Sequence, residues 1–246
     1  MINKSVANKC LVFISLILLT NICLASPTIQ HWETGNGARV YFVPATELPI
    51  VDVQIIFDAG AARDDDKSGL ALLTNAMLPE GAGDMDANAI AERFDSLGVQ
   101  FNNSALRDMS VFKIRSLSSP EQLNPAMEIL ATVLANATIP ENAFKREKNR
   151  LLIGIEGQKQ SPGAIAGKAF YKAVYGSHPY SNMPSGNEKS VKALKRQDLV
   201  DFYSKYYVAK NAVISIVGDL DRNKAAALAE LLTGKLKSGE QAAKLP

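Results

Sequence analysis

The sequence is poor in side chains that hold metals or act as thiols. Histidine occurs only as His31 and His178, and cysteine only as Cys10 and Cys23, both within the first 25 residues. A catalytic zinc needs three ligands converging on one point, so a chain with two separated histidines and no cysteine beyond residue 25 lacks the usual N and S donors. The remainder of the chain can form no disulfide and offers no thiol nucleophile, which suits an oxidising compartment. Charge of one sign is also missing. There are 27 basic and 25 acidic residues, and the excess of two is carried by Lys4 and Lys9. A neutral body gives no electrostatic footing for nucleic acid. The apolar run Leu11 to Leu19 is followed at once by Thr20 and Asn21 and is too short to span a bilayer well.

What is present begins with that run. Met1 to Ala25 reads as an export signal: Lys4 and Lys9 form its positive end, Leu11 to Leu19 its apolar stretch, and Cys23-Leu24-Ala25 a small-residue cleavage pattern with the cut after Ala25. A periplasmic location is expected, with retention as an anchor the alternative. Thr20, Asn21 and Ile22 ahead of Cys23 do not form a lipoprotein box. Residues 26–237 then read as a single domain and 238–246 as a polar tail. With about 220 residues and 47% apolar content, the chain can bury one substantial core.

Periodicity and turn chemistry give the order of elements. Ile29–Glu33 and Ala38–Val43 flank Asn36-Gly37, a strong hairpin signal. Ile50–Phe57 alternates Val51, Val53 and Ile55 with Asp52 and Gln54, as a strand with one buried face does. A helix is expected over Ser68–Leu78, with Ser68 as N-cap and Pro79 and Gly81 as its stop. A second starts at Asp86, places Ile90, Ala91, Phe94 and Leu97 on one side, and closes at Gly98. The strands Val99–Leu106 and Met109–Leu117 follow. Helices are then expected from Pro120 to Leu134, with Leu123, Met127, Leu130 and Leu134 inward, from Pro140 to Gln158, and from Gly163 to Val174. After an irregular loop, Ser177 to Gly186, come helices Glu188–Ala193 and Arg196–Tyr206, the strand Ala212–Val217 and a last helix, Arg222–Leu232. Three strands before any helix, then two neighbouring strands, argue for an α+β fold: an antiparallel or mixed sheet with helices over one face.

The helix after the third strand carries the functional question. Leu72, Asn75 and Ala76 are spaced i, i+3, i+4 and share a face. Their context, G-L-A-L-L-T-N-A-M-L-P-E-G, resembles the zinc helix of the insulinase, pitrilysin and mitochondrial processing peptidase family, written G-x-A-H-x-x-E-H-M-x-x-x-G. Gly69, Ala71, Met77 and Gly81 fall in step. In the inverted H-x-x-E-H motif two imidazoles one turn apart hold the metal and the Glu deprotonates its water. The two His positions are here Leu72 and Ala76, and the Glu position is Asn75. Leu and Ala offer no lone pair, and an amide is no adequate base. The family's third ligand, a Glu on a later helix, falls in R-E-K-N-R-L-L-I-G-I-E at Gly154, with Glu147 and Glu156 nearby.

The resemblance runs from Trp32 to Asp221. F-N-N-S-A-L-R-D-M-S-V-F is similar to the family's n-A-x-T-x-x-D-x-T-x-Y strand pair, and H-P-Y at His178, S-G-N-E-K-S-V, D-L-V-D-F-Y-S-K-Y-Y-V-A-K-N and V-G-D-L-D follow in the family's order. Family members carry two such halves in tandem, and this chain matches one.

The resemblance implies a non-catalytic homologue, without a metal of its own, that pairs with a zinc-bearing peptidase chain or with itself and helps enclose unfolded peptide. It also implies that Asn102, Asn103, Ser104 and Ala105, at the family's edge strand, take a peptide by β-addition, against a reading of the four as ordinary strand. Two rivals stand beside it: a stand-alone exported peptide-binding protein, and an active metallopeptidase with an atypical metal set such as Glu147, Glu156 and His178. Asp64, Asp65 and Asp66, with Asp84 and Asp86, read as a solvated acidic loop rather than a calcium site, having no EF-hand spacing. Asp219 and Asp221 read as a strand-to-helix cap, and His31 and His178 as structural.

Overall fold

The computed structural model describes residues 28–245; the expected export signal lies outside the described residues. The hairpin forms as β1 (Gln30–Glu33) and β2 (Arg39–Pro44), followed by β3 (Ile50–Phe57). Next come α1 (Leu70–Met77), a two-residue ribbon of β4 (Gly81–Ala82) and β5 (Met85–Asp86), and α2 (Ala87–Ser96). The second strand pair is β6 (Gln100–Ala105) and β7 (Ser110–Leu117). Then α3 (Pro120–Ala135), α4 (Glu141–Gln158), α5 (Pro162–Tyr175), α6 (Glu188–Ala193) and α7 (Arg196–Tyr206) lead to β8 (Ala212–Gly218) and α8 (Arg222–Thr233).

Six strands make one mixed sheet in the order β1-β2-β8-β3-β7-β6. Only β2 and β8 run parallel in it; the other neighbours are antiparallel. The late strand β8 is thus inserted between two early ones, and β6 is left at an edge.

Alternation along β3 fixes the faces. Val51, Val53, Ile55 and Phe57 are buried beneath helices, while Asp52 and Gln54 point to the other side. That open side is polar, and Arg115 grips Asp52 there across β7 and β3 with two bonds of 2.7 Å. Beneath the helices, Phe57 and Phe112 meet edge to face, and Tyr207 tilts against Phe57 and meets Phe112 edge to face. From α3, Leu123, Met127, Leu130 and Leu134 all enter this core, as their spacing requires. Among the described residues no helix is long and apolar enough to cross a membrane.

Two local expectations are corrected. Ser68 does not cap α1: the N-cap is Gly69, in a left-handed conformation (φ 99°), and the helix start is bonded from farther back, by Asp64. In α2, capped by Asp86 as expected, Ile90 and Phe94 are buried and Leu97 half-buried, but Ala91 faces solvent, the stripe being narrower than its apolar letters suggest.

Residues 237–243 run back over the domain. Ala209 N–H donates to the Lys237 carbonyl (2.8 Å), Lys210 N–H to Ser238 (3.0 Å) and Ala242 N–H to Asn211 Oδ1 (3.1 Å). Arg63, paired with Asp58, donates to the Ala243 carbonyl at 2.6 Å.

Candidate functional site

The site in question is the surface of α1, and the chain fastens that helix at both ends and on most of its circumference. Asp64 sits under its N-terminus, where its two carboxylate oxygens accept from the N–H groups of Gly69 (2.8 Å) and Ala71 (2.7 Å). Burial nevertheless dominates and pushes the Asp64 carboxyl up to about 7, against the lowering effect of those backbone bonds. From the far side, Ser190 Oγ donates to the Ser68 carbonyl at 2.8 Å, and Lys67 pairs with Asp198 at 2.7 Å. Gly69 and Gly186, both at positive φ, let the 185–187 loop lie directly on the helix entry; a Cβ on Gly186 would come within 2.2 Å of the Ser68 carbonyl oxygen. The C-terminus tightens into a 3₁₀ turn, Leu78–Glu80, around Pro79.

Of the eight residues of α1, six are buried, and the two that are not are Leu72 and Ala76. They form a stripe one turn long on its partly open side. Asn75 lies beside that stripe but points inward. Its Oδ1 and its carbonyl oxygen both accept from Asn103 Nδ2 of β6, each at 2.9 Å. Among the described residues its own buried Nδ2 makes no well-formed hydrogen bond, an unusual cost for an amide. The phenol of Tyr207 is close enough to be influenced by Asn75; burial raises its pKa while Ser110 and Asn75 lower it, and its hydroxyl donates to Ser110 Oγ at 2.8 Å. This is a structural polar network. Asn75 has one oxygen already engaged and no group that can take a proton at neutral pH.

The position expected for a third ligand is open. Gly154 is exposed on α4, and a Cβ there would meet no atom within 4 Å. Glu147 lies seven residues earlier, two turns, and so on the same side of α4. It is buried, with Arg150 at 3.1 Å and Arg146 at 3.4 Å, and Arg146 also reaches Glu80 at the end of α1. Among the described residues nothing donates a hydrogen bond to its Oε1.

The donors do not fit a zinc ion. At the two positions one turn apart stand a leucine and an alanine, at the third a glycine, and one buried carboxylate held by two guanidiniums cannot replace them. The atypical set does not assemble either. Glu147 and Glu156 are nine residues apart, about 13 Å along the helix axis. Glu156 is exposed and bonded to Lys159, and His178 is engaged elsewhere, its Nδ1 accepting from Tyr180 N–H at 3.1 Å. Among the described residues no three His, Cys, Asp or Glu side chains lie close enough together to hold a metal.

The acidic residues divide in the same manner. Asp64 is committed to α1 and Asp86 to the Ala89 N–H of α2, while Asp65 and Asp66 face solvent. Asp221 caps α8 through Lys224 N–H (2.8 Å); Asp219 instead accepts from Ser118 Oγ (2.7 Å) and takes no part in the cap, a correction to the pairing expected. His31 stacks on Tyr41, its cross-strand neighbour.

Asn102, Asn103, Ser104 and Ala105 all lie on β6, whose outer edge no other strand covers among the described residues. Asn103 and Ala105 turn inward, and Asn102 and Ser104 outward. Sequence reasoning missed that Asn103 ties this edge to α1 through Asn75. Both asparagines were in view, but no spacing rule links residues 28 positions apart.

Residues 40–186 match the model of insulinase, peptidase family M16, and residues 193–246 that of the peptidase M16 inactive domain. A crystal structure of a peptidase M16 inactive domain from Pseudomonas fluorescens is 42% identical, with a TM-score of 0.87 over 89% of this chain and 53% of that one. An uncharacterized zinc protease of Rickettsia felis is 28% identical over 89% of this chain and 52% of its own length. Subunit 1 of the mitochondrial cytochrome b-c1 complex of Bos taurus is 23% identical over 83% of this chain and 42% of its own. The chain therefore spans about half the length of the relatives it matches.

Proposed function

The chain belongs to the insulinase family, peptidase family M16, and from that premise we propose that it is a non-catalytic member: a subunit that pairs with an active peptidase chain and helps enclose peptide. The observation that carries the reading is the state of α1. Its fold, packing and capping are those of a fully specified helix, yet the two outward positions one turn apart are Leu72 and Ala76 and the inward one is Asn75. Zinc, on this reading, belongs to the partner alone. The match of residues 193–246 to the inactive-domain model and the likeness to a protein named as a complex subunit support it.

The role left to such a chain is to wall a chamber and hold substrate. The uncovered edge of β6 supports a holding role, since the N–H and C=O groups of an edge strand can pair with an extended peptide regardless of its side chains. Asn102 to Ala105 are the residues proposed to do so. Export to the periplasm is proposed on the leader-like segment at the start of the sequence.

Co-expression with a peptidase chain carrying an intact H-x-x-E-H tests the proposal. The two should co-purify, and peptide hydrolysis should require both. Hydrolysis by this chain alone would favour an enzyme, and peptide binding without any partner chain would favour the stand-alone binder.

A further inference from the structure

The helix α5 departs from the rest of the fold. None of its residues is buried, although Ile165 (53% exposed), Phe170 (60%) and Val174 (57%) are large and apolar. It is anchored at its C-terminal end, where Arg107 lies over the Tyr171 ring at 3.6 Å and Tyr175 stacks among Tyr171, His178 and Tyr180. Between α5, the end of α4 and α6 there opens a groove of about 1300 Å³.

Its apolar lining includes Ile155, Ile165, Ala169 and Met183. The same lining carries five lysines, Lys159, Lys168, Lys172, Lys189 and Lys192, and one carboxylate, Glu188, with Glu156 paired to Lys159 from beside it. Glu188 is already shared between Lys159 (2.9 Å) and Lys192 (2.8 Å), which hold its carboxyl down to about 2. Among the described residues, the side chains of Lys168 and Lys189 have no hydrogen-bond or ion-pair partner. In a chain whose basic and acidic residues nearly balance, this is a concentrated local excess of positive charge.

We infer that this groove is a docking site for an acidic amphipathic segment of a partner polypeptide. Three features select that occupant. The volume exceeds that of a usual small-molecule pocket, which suits a peptide. A lining of apolar and lysine side chains matches a helix with one apolar face flanked by Asp or Glu. A second copy of the chain would set lysine against lysine, so self-association through this face is disfavoured. The inference deepens the subunit reading and rests on it only for which chain supplies the segment.

A labelled peptide of about four helical turns, the length of α5, is the probe: leucines at i, i+3, i+4 and i+7 with glutamates on both flanks, beside a copy with lysine for every glutamate. Fluorescence anisotropy with the full chain should show binding of the acidic peptide, weakened at least about tenfold from about 50 to about 500 mM salt. K168E/K189E and, separately, Ile165→Asp should each weaken it at least about tenfold, and Lys113→Glu on the open sheet face should not change it. These side chains are exposed, so unchanged circular dichroism is expected for all three variants. Failure of the acidic peptide to bind, equal binding of the lysine peptide, or wild-type affinity in K168E/K189E overturns the inference. The subunit reading fails by a separate result, absence of co-purification with a peptidase chain, whatever the peptide does.

Discussion

Helices α1 and α5 are both written in the same amphipathic language, and the fold treats them in opposite ways. In α1 six of eight residues are buried, the N-terminus is bonded by Asp64, and the flank is clamped by Asn103. In α5 no residue is buried and the apolar side chains stand in the open. The difference separates two kinds of loss. The helix α1 is bonded and packed firmly in place and lacks the groups that would hold a metal. The helix α5 keeps its exposed apolar surface although nothing within the described residues covers it.

Truncating buried and exposed side chains breaks the comparison most directly. Met77→Ala, at a fully buried position of α1, should cost about 2–5 kcal/mol by urea denaturation, whereas Val174→Ala on α5 should stay within about 0.5 kcal/mol. Equal costs would mean that α5 is packed after all.

The next largest effect is one of pH. Because the Asp64 carboxyl is pushed up to about 7 from 3.8, the folded state holds a proton that the unfolded state has already released. Its contribution is therefore fully present below pH 3.8 and is lost as the pH rises to about 7, by up to about 4 kcal/mol. Measured as wild type minus Asp64→Asn, stability should fall between about pH 4 and pH 7 and level off above. A difference that is flat across this range contradicts the assignment.

A smaller cost is expected from Asn103→Ala, which removes the donor serving two acceptors on Asn75. The loss should be about 1–3 kcal/mol, with hydrogen exchange rising in α1 and β6 together. An exchange increase confined to β6 would show that the clamp does not stabilise the helix. Smallest of all, Leu72→Ser should leave stability within about 1 kcal/mol, since Leu72 is only half-buried.

Much of the fold was legible because its punctuation is local. Asn36-Gly37 marked the first hairpin, Pro120 and Pro140 the starts of α3 and α4, Asp86 and Gly98 the limits of α2 and its turn. What was not legible acts at a distance. Asp64 bonds the N–H of Gly69 from five residues back, outside the range in which a cap is sought, and so Ser68 was the nearer choice. The parallel pairing of β2 with β8 joins residues over 170 positions apart, which no periodicity reveals. For the same reason the fit of 237–243 against Asn211 and Arg63 was hidden in a polar-looking tail. At the candidate site the missing donors could be read letter by letter, but burial of Asn75 and its bond to Asn103 needed three dimensions. The helix after the Ser161-Pro162-Gly163 break was legible, but not whether its apolar residues were covered.

Metal content of the purified chain, measured together with peptide hydrolysis, tests the central claim. L72H/A76H/G154E serves as the positive control, since a side chain at residue 154 has open space before it. The native chain should carry far less than one zinc per molecule and cleave nothing, and the triple variant should gain zinc without refolding. Stoichiometric zinc in the native chain, with hydrolysis that a chelator removes, would contradict the account.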